Sequence, residues 1–265
     1  MKRAPASAVL LAAFAVFASA SDKMKPTDVI ARHLDAVGPA EARAVPRSVE
    51  GSCAMTAPAS GGVAGTLMGR FRLDSAAARF ALQMKYPSQG YPSETFSLEG
   101  GKPDVGFVLP GKRSAFGSFL STNDVIVREG LLGGVLNAGW PLFDLAQRGA
   151  KVGYDGLKKL DGRELHRLRY RAKKGQGSLE IFLYLDPDTF RHVASVYRSS
   201  QAQQLGTTME SSSSQPDVYL QLEETFGDFK PAKGLTLPSS WTIRYETQAK
   251  VTQYWKYQLV PEKVE

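Results

Sequence analysis

The sequence contains a single cysteine, Cys53, in 265 residues. One thiol excludes an intramolecular disulfide, so packing and hydrogen bonds must stabilise the fold. Cys53 lies in a stretch, residues 51–55, whose composition indicates a strand, and a lone cysteine there usually packs as a small hydrophobic side chain. No histidine is close to it in sequence, which argues against a catalytic thiol.

The signatures of the common catalytic centres are also missing. The chain has no Gly-x-Ser-x-Gly, His-Glu-x-x-His, Gly-x-x-x-x-Gly-Lys or Cys-x-x-Cys motif. Its three histidines, His33, His166 and His192, fall on a predicted helix and two separate predicted strands. His166 and His192 could meet across a sheet, but two histidines without a carboxylate or thiol partner make a poor metal site. We expect solvated or partly buried histidines, no catalytic residue, no metal site and no cofactor, with a hydrolase as a less favoured alternative.

Concentrated charge is a further absence. The formal net charge is +7, and its Lys and Arg residues are scattered along the chain. A nucleic-acid-binding protein would concentrate them on one helix or strip, so this class is excluded. The composition predicts, at most, weak attraction to anionic lipid headgroups or acidic partners.

The N-terminus has the pattern of a secretory signal peptide. Lys2 and Arg3 precede an apolar run over residues 8–18, and Ala18-Ser19-Ala20 provides a small-x-small cleavage site. The run is too short to span a bilayer core of ~30 Å. We therefore predict a signal peptide over residues 1–20 and an exported mature chain of net charge +5, with no cysteine for lipid anchoring and no transmembrane segment.

Most of the remaining chain alternates between apolar and polar residues. Residues 26–38 form the clearest helix, which Gly38 and Pro39 end. In residues 79–86 every second side chain is large and apolar, which is typical of a strand with one buried face. Further strands are predicted over residues 66–73, 94–99, 104–109, 164–172, 179–186, 190–198, 217–226, 241–247 and 250–259. Short alternating runs of this kind predict one antiparallel sheet in meander order, in a single domain over residues 21–265.

Two segments depart from the alternating pattern. Residues 199–217 are polar and low in complexity, which predicts a mobile hairpin excursion. Residues 131–143 contain no charge and four glycines or prolines between large apolar side chains, which indicates short, interrupted helices. A single sheet needs cover for its apolar face, so we expect a strongly curved sheet wrapped around these helices. Residues 131–143 would then be a lid over an apolar hollow or part of a fully packed core, and the sequence leaves both open.

The order of these elements resembles the LolA/LolB-like lipoprotein-carrier superfamily, particularly its outer-membrane lipoprotein-sorting proteins. The resemblance covers residues 25–260 and rests on the opening helix, the strands at Gly65–Leu73 and Arg79-Phe80, and the turn Leu183–Phe190. It implies an incomplete β-barrel of antiparallel strands, closed by short helices, that binds acyl chains. The family's lid-fixing arginine follows an aromatic residue, whereas here Arg79 precedes Phe80.

The resemblance also implies site residues and a function. The hollow would be lined by Phe80, Leu82, Met84, Phe96 and Leu98. The lid would comprise Leu131, Leu132, Val135, Leu136, Trp140, Leu142 and Phe143. The implied function is a non-enzymatic, monomeric periplasmic carrier of lipid or lipoprotein acyl chains toward the outer membrane, with inner- and outer-membrane protein partners. The alternative is a lipid- or lipoprotein-sensing interaction module on the same fold.

Overall fold

The computed structural model describes residues 24–57, 65–201, 218–248 and 252–265. The predicted signal peptide and most of the polar segment 199–217 lie outside the described residues. Within the described ranges, no helix has the length and apolar character needed to cross a bilayer.

In these described ranges, twelve strands form one sheet, in the order β5-β4-β3-β2-β1-β12-β11-β10-β9-β8-β7-β6. Every neighbouring pair is antiparallel. The strands are β1 (Arg47–Thr56), β2 (Thr66–Ala76), β3 (Arg79–Lys85), β4 (Ser93–Glu99), β5 (Lys102–Val105), β6 (Lys151–Leu160), β7 (Arg163–Arg171), β8 (Glu180–Leu185), β9 (His192–Gln201), β10 (Val218–Ala232), β11 (Leu235–Gln248) and β12 (Thr252–Val264). The predicted antiparallel sheet in meander order is confirmed.

The helical segments are short. They are α1 (Pro26–Val37), α2 (Ala40–Arg43), α3 (Ala115–Thr122), α4 (Val125–Arg128) and α5 (Leu145–Arg148), with single 3₁₀ turns at Gly134–Leu136 and Pro141–Phe143. Pro26 occupies the first turn of α1 and Gly38 ends it with φ 136°, in agreement with the helix predicted over residues 26–38.

The strand order explains why the helical insertion lies where it does. Strands β1–β5 and β6–β12 each run as a meander, and β1 pairs with β12 to join them. Strands β5 and β6 are the two edges, and the insertion over residues 106–150 connects them. This connection has to cross the face of the sheet from one edge to the other.

The sheet curves around that insertion. Residue Gly133 donates its N–H to Glu224 on β10, while the N–H of Ala138 donates to Ser75 on β2. Further along, the Trp140 ring lies 4.5 Å from the ring of His192 on β9. One short segment can contact strands so far apart in the sheet only if both halves bend toward it. The predicted curved sheet wrapped around short helices is therefore confirmed.

The sequence predicts some strands better than others. Strand β6 is missed because its Lys- and Gly-rich sequence alternates poorly; at the sheet edge half of its residues are exposed and none is buried. The hairpin of β10 and β11 extends beyond the predicted strands to a tight turn at Lys233 and Gly234, which have φ values of 50° and 77°. Two consecutive positive φ values are typical of a type I′ hairpin turn.

Gly51 permits a close approach of β1 to β12. The register shifts between Glu50 and Gly51, and a Cβ placed on Gly51 would lie 1.9 Å from the carbonyl oxygen of Val260. Bulges of this type bend strands and increase their twist. Gly51 thus allows the two meanders to meet at a bend.

We predict that Gly51→Ala destabilises the protein, because the added methyl group can be accommodated only if β1 and β12 move apart. Overpacking of this kind costs about 1–3 kcal/mol. The matched control is Gly153→Ala in β6, where a Cβ meets no atom within 4 Å. Urea unfolding measures both variants, and equal stabilities of the two would contradict this role of Gly51.

Candidate functional site

The residues predicted to line the hollow lie on one face of β3 and β4. Phe80 is the cross-strand partner of Leu98, and Leu82 is that of Phe96. These four side chains and Met84 are all buried. On the other face of β3, Lys85 is exposed. The structure therefore brings the five predicted residues together on the concave face.

Helix α3 covers part of this surface. Ser114 caps it by accepting a hydrogen bond from the N–H of Gly117 at 2.8 Å. The Phe116 ring lies 4.9 Å from that of Phe96 and 5.2 Å from that of Tyr257 on β12. An aromatic side chain thus bridges two strands across the hollow.

Residues 131–143, here called the plug, fill the rest of the hollow. Its apolar side chains lie inside the sheet with at most 2 % of their surface exposed; they are Leu131, Leu132, Val135, Leu136, Trp140 and Leu142. Phe143 is only half-buried, beneath the guanidinium of Arg43. Where Phe80 and Leu98 meet Gly130 and Gly139, a void of only about 10 Å³ remains. That space holds about one water molecule at most, so the segment packs the hollow rather than roofing an open cavity.

A buried arginine contacts the plug. Arg47, at the start of β1, is 5 % exposed and donates from Nη1 to the carbonyl oxygen of Val135 at 2.7 Å. Its Nη2 donates to the carbonyl oxygen of Arg43 at 3.1 Å. Burial lowers the pKa of the Arg47 guanidinium to about 10, so it stays charged at neutral pH. Arg79, which the sequence resemblance compares with a lid-fixing arginine, is exposed instead.

A buried carboxyl group, Glu224 on β10, binds the other side of the plug. Glu224 Oε1 accepts from the N–H of Gly133 at 2.8 Å and from Nε1 of Trp241 at 3.0 Å. The hydroxyl of Tyr197 lies 2.8 Å from Glu224 Oε2 and 3.2 Å from the carbonyl oxygen of Leu131. Glu224 and Tyr197 therefore contact both a backbone donor and a backbone acceptor of the plug.

A neutral Glu224 satisfies all of these groups at once. Burial raises its pKa to about 7. A protonated Oε2 donates to the Tyr197 oxygen, and the tyrosine hydrogen is then free for the Leu131 carbonyl. An ionised carboxylate would draw the single tyrosine hydrogen to itself and leave that carbonyl without it.

Two histidines lie beneath the plug, both fully buried. His33 on α1 donates from Nδ1 to the carbonyl oxygen of Phe190 at 3.0 Å, and its Nε2 accepts from Nε1 of Trp140 at 3.2 Å. Burial lowers the pKa of His33 to about 4 and that of His192 well below its usual value, so both rings are neutral. The expectation of solvated or partly buried histidines is wrong for this pair.

The partner of His192 also differs from the expected one. Strand β8 separates His166 on β7 from His192 on β9, and the neighbour of His192 is His33, with ring centroids 6.4 Å apart. The sequence could not place α1 over β9, because that packing joins elements more than 150 residues apart.

His192 also contacts a serine, which is the one arrangement here that resembles a nucleophile and base. Its Nε2 lies 3.0 Å from Ser195 Oγ. Within the described part of the chain, however, His192 Nδ1 has no hydrogen-bond partner, so no carboxylate orients the imidazole as in a catalytic triad. Both side chains are also fully buried.

A second buried carboxyl group, Glu94 on β4, lies in the other half of the hollow. The hydroxyl of Tyr91 contacts Glu94 Oε1, which also accepts from the Tyr257 hydroxyl at 3.4 Å. Burial raises the pKa of Glu94. The burial of both acids can be read from the sequence, because each lies two residues before a large apolar side chain of the same strand face. Glu94 precedes Phe96 in this way, and Glu224 precedes Phe226. Each acid therefore belongs to an apolar face.

In the ranges that the structure covers, no three or more His, Cys, Asp or Glu side chains are grouped to hold a metal ion. The site's chemistry is that of a packed apolar hollow with a few buried polar contacts to the plug. The residues that sequence reasoning missed are Arg47, Ser75, Glu224, Tyr197 and His33, all of which contact the plug.

No protein-family model and no curated protein matches the chain. Among solved structures, the chain is similar to a LolA superfamily protein from Nitrosomonas europaea (8% identity, TM-score 0.47, covering 91% of this chain and 93% of that one). It is also similar to an outer membrane lipoprotein-sorting protein domain from Vibrio parahaemolyticus (9% identity, TM-score 0.42, covering 85% and 88%). A third similar structure is a DUF1329 family protein from Desulfovibrio piger (9% identity, TM-score 0.41, covering 90% of each chain).

We predict that Glu224 makes stability depend on pH with a defined sign. Its folded pKa of about 7 lies above the usual 4.5, so the folded protein retains a proton that the unfolded chain has lost. The stabilisation is complete below pH 4.5 and declines as the pH rises through 7, by a few kcal/mol in total.

The measurement is the difference in free energy of unfolding between wild type and Glu224→Gln, taken by urea unfolding from pH 4.5 to 8. The contributions of His33 and His192 cancel in that difference. As the pH rises to about 7, the wild type should lose stability relative to Glu224→Gln. Above that pH the difference in free energy of unfolding should stay constant. A difference that stays flat over this range would contradict a raised pKa for Glu224.

Proposed function

We propose that this protein is a non-enzymatic carrier that binds acyl chains of lipids or lipoproteins in the hollow after the plug moves out. The observation that carries the proposal is the plug itself, an uncharged segment that occupies an apolar hollow as an acyl chain would. It is tied to the sheet by a few polar contacts, which include those of Arg47, Ser75 and Glu224.

The plug has the local structure of a movable segment. It consists of turns and two 3₁₀ turns rather than a long helix. A glycine with positive φ directly precedes it, Gly130 at 70°, and another follows the next short helix, α5, Gly149 at 64°. Hinges are often small residues that absorb large changes of φ and ψ, so these glycines are suited to let the plug move as a unit.

The energies of the plug and of an acyl chain are of similar size. Burying a Val, Leu or Ile side chain gains about 1.5–3 kcal/mol, so the six buried plug side chains gain on the order of 12 kcal/mol. A sixteen-carbon chain gains about 0.8 kcal/mol for each buried CH₂ group, which is also on the order of 12 kcal/mol. Exchange of one for the other is therefore close to balanced, as a carrier that both loads and releases requires.

The remaining parts of the proposal follow from the sequence. The signal-peptide pattern over residues 1–20 supports export, and the resemblance supports a periplasmic monomer that carries its cargo toward the outer membrane with membrane-protein partners. The incomplete Ser195–His192 pair favours carriage over hydrolysis.

The test compares two substitutions on the two faces of β3. Leu82→Arg should reduce binding of a fluorescent sixteen-carbon fatty acid at least tenfold, because a charge would be buried among acyl carbons. Lys85→Glu, on the exposed face, should bind as the wild type does and change stability by no more than about 0.5 kcal/mol.

Fluorescence titration measures the binding, and circular dichroism identifies the variants that remain folded. If folded Leu82→Arg binds the fatty acid as strongly as Lys85→Glu does, the concave face is not the binding surface. If the wild type itself binds no acyl chain, the carrier proposal is wrong.

A further inference from the structure

The positive charge of the chain is concentrated in one part of the sheet, although the cations are scattered along the sequence. Residues 151–201 contain eleven Lys and Arg and six Asp and Glu residues. This segment therefore carries a net charge of +5, and the rest of the chain after the predicted signal peptide is neutral. The segment forms β6–β9 and their turns.

Within these strands the charge is uneven from one end to the other. At the end of the strands that holds the β6–β7 turn, four cations are balanced by four acids. The cations are Lys158, Lys159, Arg163 and Arg191, and the acids are Asp161, Glu164, Asp186 and Asp188. In the middle, Asp155 pairs with both Arg167 and Arg169. The excess positive charge is greatest at the opposite end.

We call that opposite end the basic corner; its cations are Lys151, Arg171, Lys173 and Lys174. Lys151 and Arg171 are directly opposite each other on β6 and β7, and all four side chains are exposed. In the described part of the chain none of the four forms an ion pair. Glu180 is the one acid on the β7–β8 turn and its flanks. Nearby Arg128 and Arg148 are paired with Asp124 and Asp144.

The turn that presents the two lysines is held in place by hydrogen bonds. Gln176 Oε1 accepts from the N–H of Ala172 at 2.7 Å, and Gln176 Nε2 donates to the carbonyl oxygen of Leu179 at 2.7 Å. From outside the turn, Arg128 Nη2 donates to the carbonyl oxygen of Lys174 at 3.2 Å. A concave space of about 430 Å³ lies along this turn, and Arg171, Lys173 and Lys174 are among the residues that line it.

We propose that the basic corner binds the anionic phosphate headgroups of a lipid bilayer. Its four exposed cations lack acidic partners and project from one end of the sheet, so they can all face one anionic plane. Lysine ammonium groups on flexible stems suit many interchangeable headgroups, whereas a protein partner requires a shaped surface. Clusters of four to eight basic residues are typical of attraction to anionic lipids.

The basic corner is also next to the C-terminal end of the insertion that contains the plug. A Cβ on Gly149, which follows α5, would lie 3.1 Å from Cδ of Lys173. Arg148 donates to the carbonyl oxygens of Glu129, just before the plug, and of Gly139, within the plug. If the proposed carrier function holds, a bilayer bound at this corner faces the segment that has to move.

The test is flotation of the protein with vesicles of 70% phosphatidylcholine and 30% phosphatidylglycerol, and with vesicles of phosphatidylcholine alone. Each basic residue near an anionic surface contributes about fivefold to partitioning. We expect Lys173→Glu/Lys174→Glu to bind the anionic vesicles at least about 20-fold more weakly than wild type. Binding of the wild type should be lost in 1 M salt, where the Debye length falls to about 3 Å.

The matched control is Lys158→Glu/Lys159→Glu, which makes the same change of charge at the other end of the same region. We expect it to weaken binding less than threefold. Equal losses in the two double variants would mean that net charge alone acts, and would overturn the proposal. Failure of the wild type to bind anionic vesicles would overturn it too and point to an acidic protein instead. Because flotation does not require acyl-chain binding, either proposal can fail without the other.

Discussion

The structure depends on one constraint: over the described ranges of the chain, a single sheet has a large apolar face and no second sheet covers it. The cover comes from the connection between the two edge strands, β5 and β6, which must cross the concave face. Curvature, the Gly51 bend and the burial of α3 and the plug all follow from that arrangement. The segment that completes the core is thus also the segment that occupies the hollow.

Buried polar groups give this apolar packing a defined register. Arg47 binds the carbonyl of Val135, and Glu224 with Tyr197 binds Gly133 and Leu131. A buried polar group without its partner costs about 1–3 kcal/mol. For the proposed carrier, the plug would leave the sheet only when a ligand, water or a rearrangement satisfies these groups, so the closed state would be favoured without cargo.

The sequence predicted those features that depend on local pattern. Period-two alternation identified the inward face of β3 and β4, and Gly38 identified the end of α1. The absence of charge identified residues 131–143 as a segment of short helices distinct from the strands. It did not identify β6, whose edge position removes the alternation, or the contact of His33 with Trp140, which joins residues 107 positions apart. The plug contacts of Arg47 and Ser75 likewise depend on the curvature of the whole sheet, whereas Glu224 is detectable as an acid in an apolar register.

The central claim is that the plug must leave the hollow before an acyl chain can enter, and a reversible cross-link tests it most directly. Ser75 Oγ lies 2.9 Å from the backbone nitrogen of Ala138, so Ser75→Cys and Ala138→Cys, in a Cys53→Ser background, place one cysteine on the sheet and one on the plug at two residues in direct contact. We expect the oxidised protein not to bind a fluorescent sixteen-carbon fatty acid and the reduced protein to bind it. Equal binding by the oxidised and reduced forms would contradict the account.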